Sequence, residues 1–107
     1  MSSNNLYTAI PDVVPEELFE DIQTGSCVRI ERIVSDGHST PEGDWYDQEE
    51  HEWVSVLKGE GVIEYESGNQ VVLREGDYIN IPAHVKHRVK STSATEKTIW
   101  LAVFYRD

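Results

Sequence analysis

From Ser26 to the C-terminus the chain alternates short apolar runs with turn residues. The runs are Cys27–Val34, Glu52–Leu57, Gly61–Glu66, Gln70–Arg74, Tyr78–Ile81, His87–Lys90 and Lys97–Tyr105. Gly59 and Gly61, Ser67-Gly68-Asn69, Glu75-Gly76-Asp77 and Pro82 punctuate them. Strands at this spacing predict an all-β sandwich or barrel. No helical pattern alternates with them, which disfavours a parallel α/β sheet. In the last run, Thr98, Trp100, Ala102 and Phe104 share one phase while Ile99, Leu101, Val103 and Tyr105 share the other. Apolar residues in both phases predict a strand buried on both faces, or one at a dimer contact. Ahead of the barrel, Pro15 suits a first helical turn, Glu16 and Glu17 suit its dipole, and Leu18, Phe19 and Ile22 share a face. This predicts a short helix of about two turns. The expected organisation is an arm and helix over residues 1–25 and one barrel domain over 26–107.

Composition narrows the possibilities. A chain of 107 residues with 38% hydrophobic and 27% charged content suits one folded domain. The N-terminus has neither a basic start nor an apolar stretch, and no run is long enough to cross a bilayer, so a cytoplasmic protein is expected. The single Cys27 cannot form an internal disulfide and reads as a small buried hydrophobe. The formal net charge of -11 repels phosphate backbones and argues against nucleic-acid binding. Glu42, Asp44, Asp47, Glu49, Glu50 and Glu52 crowd a stretch without Lys or Arg, read as a solvated loop from which one or two carboxylates could help hold a cation. Lys86, Arg88 and Lys90, spaced by two, predict a solvent-facing or edge-protecting strand face.

The residues that could carry chemistry lie around two strands. If Val89 faces the interior, so does His87. An inward imidazole is either a core histidine with its hydrogen bonds met or a ligand. Glu52 shares the phase of Val54 and Val56, which makes it a carboxylate at the mouth of the interior face. A buried carboxylate is costly unless paired or metal-bound, so Glu52 and His87 together form a partial cation site. Arg32 could bind a substrate carboxylate through two parallel bonds, or form an internal ion pair with Glu31 or Glu52. His51 neighbours Glu52, and strict alternation turns it outward unless a bulge re-aims it. His84 follows the Pro-Ala turn and belongs either to the pocket rim or to the surface; His38, between Gly37 and Ser39, reads as a loop residue. Trp45, Tyr46 and Trp53 are candidate pocket walls.

Glu52, six residues and Gly59, followed by Gly76, five residues, Pro82, one residue, His84, two residues and His87, resemble the two motifs of the cupin superfamily. The resemblance spans about residues 40–91 and implies an antiparallel β-barrel of the double-stranded β-helix, or jelly-roll, type. Carried over position by position, the cupin metal set becomes Tyr46, Gln48, Glu52 and His87. Tyr46 and Gln48 stand where the motif has two histidines, His84 stands at its glycine and Ser91 at its asparagine. The resemblance implies a small-molecule pocket, and an iron, manganese, nickel or zinc ion in it is one expectation. Gln and Tyr are weaker ligands than the histidines they replace. Three function classes stay open. One is an enzyme acting on a small polar substrate through a divalent metal, or through His87 and Glu52 as an acid–base pair. The second is a non-catalytic ligand-binding or sensor module without metal. The third is a structural barrel whose motif residues only stabilise it and whose role is assembly. A homodimer is expected from the fold.

Overall fold

The computed structural model describes residues 2–107. Eight strands follow in order: β1 (Leu18–Thr24), β2 (Val28–Ser35), β3 (His51–Lys58), β4 (Glu60–Tyr65), β5 (Gln70–Arg74), β6 (Tyr78–Ile81), β7 (His87–Thr92) and β8 (Thr98–Tyr105). They form a five-stranded sheet in the order β1-β2-β8-β3-β6 and a three-stranded sheet in the order β5-β4-β7, all pairs antiparallel. The fold is the all-β barrel that the punctuation predicts, with the two antiparallel sheets of the jelly-roll type that the cupin resemblance implies. Gly59 makes the corner between the sheets. Its φ of +84° is open to glycine at no steric cost, and a Cβ there would lie 2.9 Å from the Lys97 carbonyl oxygen.

The predicted short helix is a strand. Residues 18–24 pair with β2, Leu18 opposite Val34 and Phe19 opposite Ile33. A helix of two turns is too short to hold by its own hydrogen bonds, whereas the edge of β2 satisfies the same backbone groups. The register slips between Asp21 and Gln23, leaving Ile22 as an extra residue. This bulge puts the apolar positions at a spacing that mimics a helix face. Cys27 also differs from expectation: it sits exposed in the β1–β2 turn, where the Gly25 amide donates to the Val28 carbonyl oxygen at 2.8 Å.

The core lies between the sheets. Ile33, Val54, Val56, Trp100, Ala102 and Phe104 of the larger sheet, with Ile81, meet Ile63 and Leu73 of the smaller. The phase Thr98, Trp100, Ala102, Phe104 is wholly buried, as its alternation predicts. Gly61 is where the sheets come closest: an added Cβ would lie 2.1 Å from the Trp100 ring. Of the three spaced cations, Lys86 and Lys90 are exposed, while Arg88 on the edge strand β7 is half-buried and bonds Glu64 at 2.9 Å.

The outer face of the larger sheet is tied to the N-terminal arm through Arg32. Its guanidinium donates to the Leu6 and Thr8 carbonyl oxygens at 3.1 and 2.6 Å, and to Glu20 at 2.6 and 2.9 Å. The Tyr7 hydroxyl donates to the Leu57 carbonyl oxygen at 3.3 Å. The strap carries the chain round to Glu17 and Phe19, which border an opening into the space between the sheets. No helix among the described residues is long and apolar enough to cross a membrane.

Candidate functional site

Register places the site. Across β2, β8 and β3, Arg29, Phe104 and Glu52 form one inward row; Glu31, Ala102 and Val54 form the next; Ile33, Trp100 and Val56 the third. Opposite them, His87 opens β7 and pairs with Tyr65. A separate bridge joins His87 to Tyr46: the Tyr46 amide donates to the His87 carbonyl oxygen at 2.8 Å, and the His87 amide to the Tyr46 carbonyl oxygen at 3.2 Å. These rows enclose a cavity of about 60 Å³. At roughly 10–15 Å³ for each water-sized group, that is room for about four to six heavy atoms. Tyr46, Gln48, Glu52 and His87 all line it, and Phe19, Trp100, Phe104 and Val89 supply much of its apolar wall. Phe19 and Tyr46 are the exposed lining residues and mark the mouth.

The polar centre is the pair His87–Glu52. Both residues are buried, at 4% and 8% exposure, with Nε2 and Oε1 3.2 Å apart. Nδ1 lies 2.9 Å from the Val85 carbonyl oxygen, which can only accept, so Nδ1 carries a proton. Nε2 faces a carboxylate, and that contact is attractive only with a second proton between them. Burial pulls the His87 pKa down, but the Glu52 hydrogen bond, the Val85 carbonyl and the Glu52 charge outweigh it and hold the group above its ordinary 6.5. The pair therefore stores one transferable proton at the cavity wall.

The remaining predicted site residues fall elsewhere. Arg32, on the strand face opposite Ile33, is held by the arm and does not line the cavity. Its ion pair is with Glu20 rather than Glu31 or Glu52. Alternation, with no bulge at this point, turns His51 outward: it packs on Tyr105, accepts from the Ala83 amide at 3.0 Å and contacts Asp107 at 3.2 Å. Trp45 is half-buried but outside the lining, and Trp53 stacks on Tyr78 on the outer face. His84 is exposed at the turn, with φ +65°, and keeps the backbone conformation of the glycine it replaces. Its amide donates to the Gln48 carbonyl oxygen at 2.8 Å and Nδ1 meets Asp47 at 2.9 Å, so it fastens the loop that carries Tyr46 and Gln48.

Glu17 and Phe19 are lining residues that a helical reading of their segment hides. Glu17 accepts from the Ser35 hydroxyl, which in turn accepts from the Trp100 indole N–H at 3.1 Å. Arg29 stands behind Phe104, its guanidinium carbon 4.0 Å from the ring centroid, and is bonded to Glu31 and Glu50. Burial raises the Glu31 pKa; Arg29 opposes that, and Asp21 and Glu52 reinforce it. The alternation of this strand contained the signal, since Arg29 and Glu31 share the phase of Ile33 and Arg32 does not.

The donor set does not suit a tightly held divalent metal. No group of three or more His, Cys, Asp or Glu side chains among the described residues converges on one point. The two strong donors are bonded to each other, and Gln48 offers only a neutral amide. Burial, then the Glu17 charge, hold the Tyr46 phenol above its ordinary pKa, and Glu52 adds to this against a lowering bond to Thr40. The phenol is therefore protonated at neutral pH and ligates weakly.

Two antiparallel sheets closing over an inward His–Glu pair define a small double-stranded β-helix barrel with an internal pocket. Residues 30–104 match the family model described as a cupin domain, and the chain belongs to the cupin family. No curated protein matches it in sequence. Among solved structures it is similar to a protein from Ralstonia eutropha JMP134 described as a "putative mannose-6-phosphate isomerase", at 39% identity over 100% of both chains and a TM-score of 0.94. It also resembles a cupin superfamily protein from Desulfitobacterium hafniense DCB-2, at 20% identity, 92% and 84% coverage and a TM-score of 0.75. A third likeness is TT1209 from Thermus thermophilus, at 17% identity, 98% and 97% coverage and a TM-score of 0.80. The last two bear on the fold alone.

Proposed function

We propose that this cupin binds a small molecule in the cavity and moves one proton on it through His87 and Glu52. The observation that carries this reading is the buried Nε2···Oε1 contact of 3.2 Å at the wall of a cavity otherwise largely apolar. The Val85 carbonyl fixes the imidazole by accepting from Nδ1–H, so the mobile proton is the one on the cavity side. Glu52 is positioned to take a proton from a bound molecule and His87 to return one, the requirement of an isomerisation, epimerisation or elimination. No step needs a metal. The isomerase description of the Ralstonia protein fits this reaction class but not its phosphorylated substrate: the lining here contains two carboxylates and neither Lys nor Arg. A non-catalytic binding role is the second reading, favoured by the fact that both imidazole nitrogens already have partners.

A panel of small amines, alcohols, acids and sugars screened by thermal shift tests the pocket, with His87→Ala and the milder Tyr46→Phe as controls. Binding that survives both variants refutes the site. Ligands that bind are then incubated in D₂O and followed by NMR. Enzyme-dependent C–H exchange supports proton transfer, and its absence leaves the binding module. We also propose pairing with a second copy through the outer face of β3 and β8. Half-buried Trp53, Leu101, Val103 and Tyr105 form a largely apolar patch there, in a chain of net charge -11. Sedimentation should give a dimer, and Val103→Glu a monomer.

A further inference from the structure

The charge balance of the cavity lining deepens the proposal of a small-molecule pocket, on which this inference rests. The lining contains Glu17, Glu52 and His87 as its titratable groups besides Tyr46, and no Lys or Arg. The His87–Glu52 pair with its one shared proton is neutral as a unit. Glu17 is a hydrogen-bond acceptor from Ser35, a buried hydroxyl whose own acceptor role is taken by the Trp100 indole. Counted by formal charge, Glu17 leaves the lining with a net charge of about −1 in an apolar setting, where a charge acts strongly. The Arg29 guanidinium lies over the Phe104 ring and is paired with Glu31 and Glu50. Phe19, Tyr46, Trp100 and Phe104 turn aromatic surface toward the same space, and ring faces attract cations.

We infer that the pocket is selective for a small organic cation: an ammonium group on a compact apolar body of about four to six heavy atoms, its charge set between Glu17 and Glu52. The apolar body displaces water from the wall of Val89, Phe104 and Trp100. The ammonium N–H groups meet carboxylate oxygens, which are charge-assisted acceptors and reject an alcohol less strongly than an anion. A phosphate or carboxylate would face two carboxylates with no cation free to receive it.

Three molecules of closely similar size separate charge from size: tert-butylammonium, tert-butanol and isobutyrate. Each is titrated into the full-length protein, with binding read from ¹⁵N–¹H chemical shifts of the cavity residues and from the melting temperature. The ammonium is expected to bind at least about tenfold more tightly than the alcohol, and isobutyrate not to bind. Glu17→Gln should bring the ammonium down to the affinity of the alcohol and leave the alcohol unchanged. Glu42→Gln, which removes the same charge from an exposed loop, should change neither. Equal binding of alcohol and ammonium, or tightest binding of isobutyrate, overturns the inference while leaving the pocket intact. If Glu17→Gln does not fold, the comparison of the three ligands on the unaltered protein still decides. Binding by none of the three also overturns it, and the wider panel then judges the pocket separately.

Discussion

Replacing Glu52 by Gln is the most informative single change to the site. Shape is kept, one charge is lost, and the proton between Nε2 and Oε1 loses its charged acceptor. In the unaltered protein the Glu52 bond, the Val85 carbonyl and the Glu52 charge outweigh burial and hold the His87 pKa above 6.5. A group with a raised folded pKa contributes stability that is fully present below its unfolded value and is lost as pH rises through the folded one. The unaltered protein should therefore be most favoured by this pair below about pH 6.5 and lose that contribution as pH rises through the raised His87 midpoint. In Glu52→Gln only burial and the Val85 carbonyl remain, so the His87 midpoint falls. A hydrogen bond to a charged partner is worth about 1.5–3 kcal/mol, so the variant should be less stable by that amount near pH 5.5. Above the raised His87 midpoint, where the imidazole is neutral and an amide N–H can donate to bare Nε2, the two proteins should differ by less than about 1 kcal/mol. At roughly 5 °C per kcal/mol, the acid difference corresponds to about 8–15 °C in melting temperature. Urea denaturation at both pH values measures the free energies, and the His87 Cε1–H resonance gives the midpoint directly. Equal destabilisation at both pH values, or a His87 midpoint below 6.5 in the unaltered protein, would refute the shared-proton account.

Arg32→Ala cuts the strap between arm and sheet. Breaking a fully buried pair costs about 3–5 kcal/mol, and because the Glu20 side chain is 35% exposed the expected loss is nearer 2–3 kcal/mol. Limited proteolysis should then cleave before residue 18 much faster than in the unaltered chain, and unchanged cleavage would show that the strap holds nothing. Incubation with millimolar zinc, nickel or manganese should leave the melting temperature within about 1 °C, since only ions bound to the native state stabilise it. Stoichiometric metal in the purified protein that vanishes in His87→Ala would contradict the donor argument. His84→Gly removes a side chain from a left-handed position and the Asp47 contact with it, so stability should change by less than about 1 kcal/mol. The Tyr46–Gln48 amides should nevertheless exchange faster with D₂O, and unaltered exchange would show that His84 does not fasten this loop.

How much was legible in the sequence follows from which signals are local. Seven of the eight strands announced themselves through alternation and turn residues, with β5 (Gln70–Arg74) and β6 (Tyr78–Ile81) matching to the residue. His87 and Glu52 were found because period-two phase fixes which face a side chain occupies, and register then brought them within 3.2 Å. The eighth strand was missed because a bulge at Ile22 breaks that period. With it went Glu17 and Phe19, whose place in the wall depends on long-range pairing with β2. Arg32 was assigned to the pocket by its chemistry, although the alternation that put Ile33 inside puts Arg32 outside. Exposure of Cys27 follows from the position of a turn, which amino-acid type does not specify.

The absence of a methyl group at Gly61 has a consequence for what the pocket can hold. Trp100 lies across that residue so closely that the smallest side chain would overlap its ring carbons. The indole also forms part of the cavity wall and anchors Ser35, and through it Glu17. One backbone position on the smaller sheet thus sets both how deep the cavity runs and where its negative charge stands. A larger residue there would push the ring inward, and size selection and charge selection would shift together. Occupants of new dimensions are therefore reached more readily by varying the side chains at the mouth, Phe19 and Tyr46, where the wall is exposed.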